Sequence, residues 1–181
     1  KWGMGDIIIK DRTGEGVIND EDRTVIGNSI PRFTFGLNLG FEYKGFDFSC
    51  FFQGVGKADG YVTMEAIQPM GINGARKEHY KESFNPQDPK PGAYFPRILS
   101  SDYNYAYMSH WVQDASYIRL KNLQIGYSFK IKGLNQLRVY ASGENLFTAT
   151  KYRTWDPETP VGARGFYPNV AVYSMGVNLN F

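Results

Sequence analysis

The stretch "FTFGLNLGFEY", Phe33–Tyr43, repeats with a period of two. Phe33, Phe35, Leu37, Leu39, Phe41 and Tyr43 alternate without a fault against Thr34, Gly36, Asn38, Gly40 and Glu42, whereas a helix needs apolar residues three and four apart. The segment therefore reads as a strand of about 11 residues, long for a globular protein and about the length that crosses a bilayer at a tilt. Lys44-Gly45 follows as a two-residue hairpin turn. The chain then returns as "FDFSCFFQGV", with Phe46, Phe48, Cys50 and Phe52 on one face and Asp47, Ser49 and Gln53 on the other.

Beyond this hairpin, residues 56–115 lose periodicity and become rich in Pro, Gly, Asn and Asp, as in "SFNPQDPKPGAYFPR". A loop of that length is uncommon in a compact domain and marks a functional or partner-binding segment. Period two resumes in "SYIRLKNLQIGYSF", where Leu123, Ile125, Tyr127 and Phe129 share a face. Ile118 and Leu120 are out of phase with them, which requires either a bulge near Lys121-Asn122 or an early part that packs inward. A short turn, "KIKGLNQ", leads to "LRVYASGENLF". A second irregular loop from Phe147 to about Val170 precedes the closing "YSMGVNLNF", whose Tyr173, Met175, Val177, Leu179 and Phe181 alternate with Ser174, Gly176, Asn178 and Asn180.

Five antiparallel strands joined alternately by short turns and long loops have the layout of an outer-membrane barrel, with apolar residues facing lipid and polar ones facing the lumen. Tyr43 and Tyr173 at strand ends fit an aromatic girdle. Five strands do not close such a barrel, so the sheet is part of one. A soluble sandwich sheet also alternates and is the competing reading, as a calcium-containing β-module that binds carbohydrate or protein.

Composition is consistent with strands. Apolar residues make up 42% of the chain and aromatics 16%, with 20 Gly. A net charge of +2 gives no footprint for nucleic acid, and the single Cys50 excludes an internal disulfide or a cysteine zinc site. No apolar run reaches the length of a membrane helix, and "KWGMGDIIIKD" shows no signal-peptide core.

"DRTGEGVINDED", Asp11–Asp22, carries oxygen-bearing residues at its first, third, fifth and twelfth places, the ligand spacing of a calcium loop. Asp11, Thr13, Glu15 and Asp22, with the Val17 carbonyl and a water near Asn19, would complete the shell. The rival reading is a tight turn stabilised by Gly14, Gly16 and the Asx side chains. In the loops, Tyr94, Phe95, Tyr103, Tyr105, Tyr107, Trp111, Tyr152, Trp155, Phe166 and Tyr167 either stack on sugars and dock a lid or anchor the loops on each other. Tyr103, Tyr105, Trp111, Tyr152 and Trp155 are the chosen substrate or lid contacts. Catalysis finds little support: His79 and His110 read as surface or loop residues outside any metal or nucleophile motif, and the Gly-rich "GVGKADG" and "GINGARKE" read as loop punctuation. Asp47, Glu42, Arg138 and Glu144 fall on the lumen side as a charge ladder.

Several strings, "GDIIIKDRTGEGVINDEDRTVIGNSIPRFTFGLNL", "EYKGFDFSCFFQGVG", "ASYIRLKNLQIGYSF", "LRVYASGENLFTATKY" and "YSMGVNLNF", resemble the C-terminal part of the SusC/RagA family of TonB-dependent outer-membrane transporters of Bacteroidetes-type bacteria. The resemblance implies a barrel of roughly 22 strands with a plug, a SusD-like lipoprotein lid, TonB as the energy source, and import of glycans or peptides without enzymatic activity. On this reading the fold is all-β: residues 1–32 are an extracellular loop with the calcium-type turn, and residues 33–181 are the last five strands of a large transmembrane barrel with long extracellular loops. The remaining barrel and the plug would lie in the rest of the receptor, and the membrane would be the Gram-negative outer membrane. The family's usual loop is close to D-x-N-G-D-G-x-I-N-x-x-D. Here Thr13 and Glu15 depart from it.

Overall fold

Lys44 and Gly45 both take positive φ, 48° and 88°. That backbone twist matches the right-handed twist of the strands it joins, as a two-residue hairpin requires. A side chain at Gly45 would also lie 2.7 Å from the Ser128 carbonyl. In the computed structural model, which describes residues 3–62, 64–69, 74–89, 91–99, 102–159 and 167–181, the turn joins β1 (Phe33–Tyr43) to β2 (Phe46–Gly56). Further along lie β3 (Asp59–Tyr61), α1 (Met64–Ile67), α2 (Lys77–Glu82), β4 (Val112–Asp114), β5 (Tyr117–Phe129), β6 (Gln136–Thr150) and β7 (Val172–Asn180).

One five-stranded antiparallel sheet runs β1-β2-β5-β6-β7. Its registers align residues of like character into rows. Tyr43 faces Phe46, which faces Tyr127, which faces Val139, which faces Val177. The next apolar row is Phe41, Phe48, Ile125, Ala141 and Met175. Between them runs a polar row on the opposite face: Glu42, Asp47, Gly126, Tyr140 and Gly176. Period two in five separate segments thus adds up to one apolar and one polar sheet face.

The bulge expected near Lys121 is present, and the early part of β5 does not turn inward. Lys121 has no partner on either side: Asn122 pairs with Phe51 and Glu144, while Leu120 pairs with Phe52 and Phe147. On β6, Asn145 absorbs the offset with φ 52°. The slip restores Ile118 and Leu120 to the apolar face. β6 runs on to Thr150, past the Phe147 boundary read from the sequence, because Tyr117–Leu120 continue the ladder beside it.

The apolar face is bare. Phe33, Phe35, Leu37, Leu39, Phe41 and Tyr43 on β1 are each about half exposed. At roughly 2 kcal/mol for full burial of such a side chain, water contact on β1 alone forgoes on the order of 6 kcal/mol. A sandwich would bury this face.

The described residues group into two compact units. The sheet, with residues 28–32, 57–60 and the segments beside β5, β6 and β7, forms one; residues 3–27 and 61–113 gather in the other. In the second unit, Val62, Ile67, His79, Asn104, Tyr105 and Trp111 are fully buried. Residues 3–27 pack with the long loop, and α1 and α2 lie inside it. Residues 71–73 of "GINGARKE", and Phe166 among the loop aromatics, lie outside the described residues.

Candidate functional site

Four arrangements carry chemistry, two in each unit. On the polar face, Arg138 of β6 spans β5 to reach Asp47 of β2, with Nη2 2.5 Å from Oδ1 and Nε 2.9 Å from Oδ2. The strand between them contributes Gly126, and a Cβ there would collide with both charged groups. Arg138 also lies 4.8 Å from the Tyr140 ring. These groups border a polar concavity of about 960 Å³, lined among others by Glu42, Ser49, Gln124 and Gln136. Of the expected charge ladder, Asp47 and Arg138 form a pair, while Glu42 stands beside Asp47 in register and Glu144 beside Asn122.

At the other end of the same face, Arg119 of β5 is 3% exposed and holds the segment after β6. Its Nε donates to Thr148 Oγ1 at 2.7 Å, Nη2 meets Asp156 Oδ2 at 2.8 Å and Nη1 meets Glu158 Oε2 at 2.9 Å. Lys121 Nζ reaches Glu158 at 2.7 Å, and Asn169 donates to both carboxylates. Residues 156–158 are thereby strapped to the polar face. Sequence reading missed Arg119; a basic residue facing the lumen early in β5, upstream of a D-x-E string, was the available signal.

The second unit is organised around Trp111. Its indole N–H donates to the Asn104 carbonyl at 3.0 Å, and Tyr105, Phe95, Tyr94 and His110 pack around its ring. Asn104 in turn accepts from Ile7 N–H and donates to Asp6, while Arg97 forks onto Asp6 with two 2.6 Å bonds. The guanidinium of Arg97 holds the Asp6 carboxyl far below its ordinary range, against the opposing pull of burial. His79, expected at the surface or in an irregular loop, is instead fully buried: Nδ1 accepts the Arg76 N–H at 3.1 Å, Nε2 faces the Ala66 carbonyl at 3.0 Å, and Phe95 meets its ring edge-on. Those partners fix the neutral tautomer with its proton on Nε2, and burial lowers its pKa.

The five chosen contact residues fall in different places. Trp111 at 0% exposure and Tyr105 at 1% are closed off by the core, and Tyr152 is buried with its ring against Gly60. All three hold loops together, because large rings are what a small loop core can bury. Tyr103 and Trp155 are half-buried. Exposed instead is Tyr107, whose ring stacks on Tyr61 at 5.1 Å.

In the turn at Asp11–Asp22, Asp11 accepts the N–H groups of Gly14 and Gly16 at 2.6 and 2.7 Å, and Asp22 accepts those of Arg12, Thr13 and Asn19. These N–H groups hold both carboxyls below the usual range, Gly14 contributing most for Asp11 and Asn19 most for Asp22. Thr13 Oγ1 lies 3.2 Å from Asp11 and 3.4 Å from Asp22, so three of the expected ligands converge. Glu15 does not join them; it accepts from Asn19. Among the described residues no group of three or more His, Cys, Asp and Glu is arranged to hold a metal.

No family model matches the chain. Over 98% of its length it is 34% identical to a TonB-dependent receptor of Formosa agariphila, of which it covers 19%. Over 94% of its length it is 27% identical to the TonB-dependent receptor SusC of Bacteroides thetaiotaomicron, covering 17% of that protein. The chain is similar to TonB-dependent receptors, SusC among them, over nearly its whole length. A solved structure of the RagAB peptide importer in its closed-closed state matches 87% of the chain with a TM-score of 0.68 and 25% identity, over 18% of that chain. The chain thus spans less than a fifth of its relatives' length. TonB-dependent receptors of this kind are outer-membrane proteins, and a sheet with one bare apolar face and one polar face bearing Asp47, Arg119 and Arg138 suits the wall of a membrane barrel.

Proposed function

We propose that this chain supplies part of the wall and extracellular loops of a TonB-dependent outer-membrane importer that takes up glycans or peptides together with a SusD-like lipoprotein. The observation that carries this reading is the two-faced five-stranded sheet, similar over nearly its whole length to TonB-dependent receptors. The remaining barrel and plug of the receptor complete the lumen, TonB supplies energy through that part, and the role is transport rather than catalysis. RagAB is a peptide importer, and the other relatives leave glycans equally in view. Tyr107, exposed and backed by Tyr61, is the best-placed ring to meet a lid or a sugar; Tyr103 and Trp155 offer smaller exposed edges. Deleting the receptor and restoring it with wild-type or Tyr107→Ala protein, with uptake of labelled oligosaccharides and oligopeptides as readout, tests the reading. Loss of neither uptake on deletion overturns it.

For the turn at Asp11–Asp22 we propose calcium. The convergence of Asp11, Thr13 and Asp22 on shared oxygens favours it, and the Val17 carbonyl and Glu15 would complete the shell after Glu15 leaves Asn19. Calcium would brace the approach to β1.

A further inference from the structure

The two ends of the β1–β2 hairpin carry the same device. At one end Lys57, a non-glycine residue at φ 54°, places its ammonium 5.5 Å from the ring of Phe33. At the other, Lys44 at φ 48° places its ammonium 5.2 Å from the ring of Tyr43. Phe33 and Tyr43 are the first and last outward residues of β1. The ten steps between them span about 33 Å along the strand, or about 25 Å along the membrane normal at a tilt near 40°, the height of the apolar band of such barrels. Each lysine therefore stands where hydrocarbon gives way to headgroups.

Lys57 is also in cationic company. Arg32 and Lys57 line a cavity of about 350 Å³ with Asn28, Asp59, Asp114 and Ser116, and Lys151 acts on Asp114 through space. Both carboxylates there are engaged by backbone: Asp59 accepts the Asn28 N–H and Asp114 the Ser116 N–H, while the Ser116 hydroxyl accepts the Lys57 N–H. None of Arg32, Lys57 and Lys151 makes an ion pair among the described residues. Three cations against two locally occupied carboxylates leave a net positive rim that adjoins a lipid-facing aromatic.

We propose that Arg32, Lys57 and Lys151 form a binding site for the phosphate of a membrane lipid at the long-loop rim of the wall, with Lys44 and Tyr43 marking the opposite headgroup level. The aromatic seats the acyl side, the cations take the phosphate, and the strained Lys57 backbone aims its ammonium outward over Phe33. This rests on the apolar face meeting lipid; recovery of the receptor in the outer-membrane fraction checks that separately.

The test uses the full-length receptor, delipidated in detergent and titrated with lipid A, with dephosphorylated lipid A and with inorganic phosphate, binding being read by native mass spectrometry. Wild-type protein should retain lipid A, and Lys57→Gln should weaken retention about fivefold, the worth of one surface cation, while Lys57→Arg keeps it. Arg32→Gln/Lys57→Gln/Lys151→Gln should abolish the preference for the phosphorylated form. Equal retention of both lipids by wild-type protein, or by wild type and Lys57→Gln alike, overturns the proposal. So does competition by inorganic phosphate at concentrations matching the lipid, which would make the site one for free anions.

Discussion

Arg138 grips Asp47 across an intervening strand, with two bonds of 2.5 and 2.9 Å passing over Gly126. The pair ties β2 to β6 without help from the ladder hydrogen bonds of β5. A side chain at position 126 must displace it. Gly126→Val should therefore cost about 2 kcal/mol, typical of overpacking, read as a lower urea midpoint for the folded receptor. The same substitution in an Asp47→Ala/Arg138→Ala background should cost clearly less. Equal costs in both backgrounds would mean that the glycine answers to something else.

Arg119 is the keystone of the strap at Asp156 and Glu158. Removing a cation from a buried cluster leaves its carboxylates uncompensated, at a cost on the order of 3 kcal/mol. Arg119→Met should free residues 152–159, seen as new protease cuts and faster amide exchange there, with the barrel still inserted. Arg119→Lys keeps the charge but loses the fork to Thr148, Asp156 and Glu158, so it should fall between.

His79 makes the loop core sensitive to acid. Burial depresses its folded pKa below the ordinary 6.5, so the unfolded loop binds the proton more readily. The stabilisation is fully present above pH 6.5 and is lost as the pH falls from there through the depressed folded value. Protonation also turns Nδ1 from acceptor to donor toward Arg76 N–H. The nearby charges of Arg76 and Glu78 pull in opposite directions on it. Relative to the intrinsic rate at each pH, amide exchange around Arg76–Ser83 should rise as the pH falls from 7.5 to 5, and His79→Gln should flatten that dependence.

Calcium in the turn predicts a dependence on chelation. Removing calcium from wild-type receptor should expose the bonds near Gly14 to protease, while Asp11→Ala/Asp22→Ala should be cut equally with and without it. Affinity in the 10⁻⁴ to 10⁻³ M class, roughly that of extracellular modules, is sufficient outside the cell. Wild-type protein indifferent to chelator would leave the five N–H contacts to Asp11 and Asp22 as the turn's whole support.

The strands were readable because their information is local. Period two, the Lys44-Gly45 pair and the phase error at Ile118 and Leu120 are properties of neighbouring residues, and they placed the hairpin and the bulge correctly. What escaped depends on long-range contact. Trp111, Tyr105 and His79 carry no periodic mark of burial, since they pack among irregular segments, and Asn104, which accepts the Trp111 N–H, is itself held by Ile7 at a separation of 97. Arg119 looked like any polar strand residue because Asp156 and Glu158 are 37 and 39 residues further along the sequence. Of the five contact residues, Trp111, Tyr105 and Tyr152 are buried, which their sequence neighbours did not mark because aromatic residues suit both a sugar and a small core.

The packing around Trp111 changes what recognition by these loops would require. A floppy arm must lose its conformational freedom at the moment it meets a solute, and each gripping residue weakens the complex by that loss. Here the ordering has already happened during folding, with an indole, a neutral imidazole and an Asp6–Arg97 fork holding the scaffold. Loops built this way offer a fixed relief. They would select by shape, and the affinity of a fitting solute would owe little to flexibility.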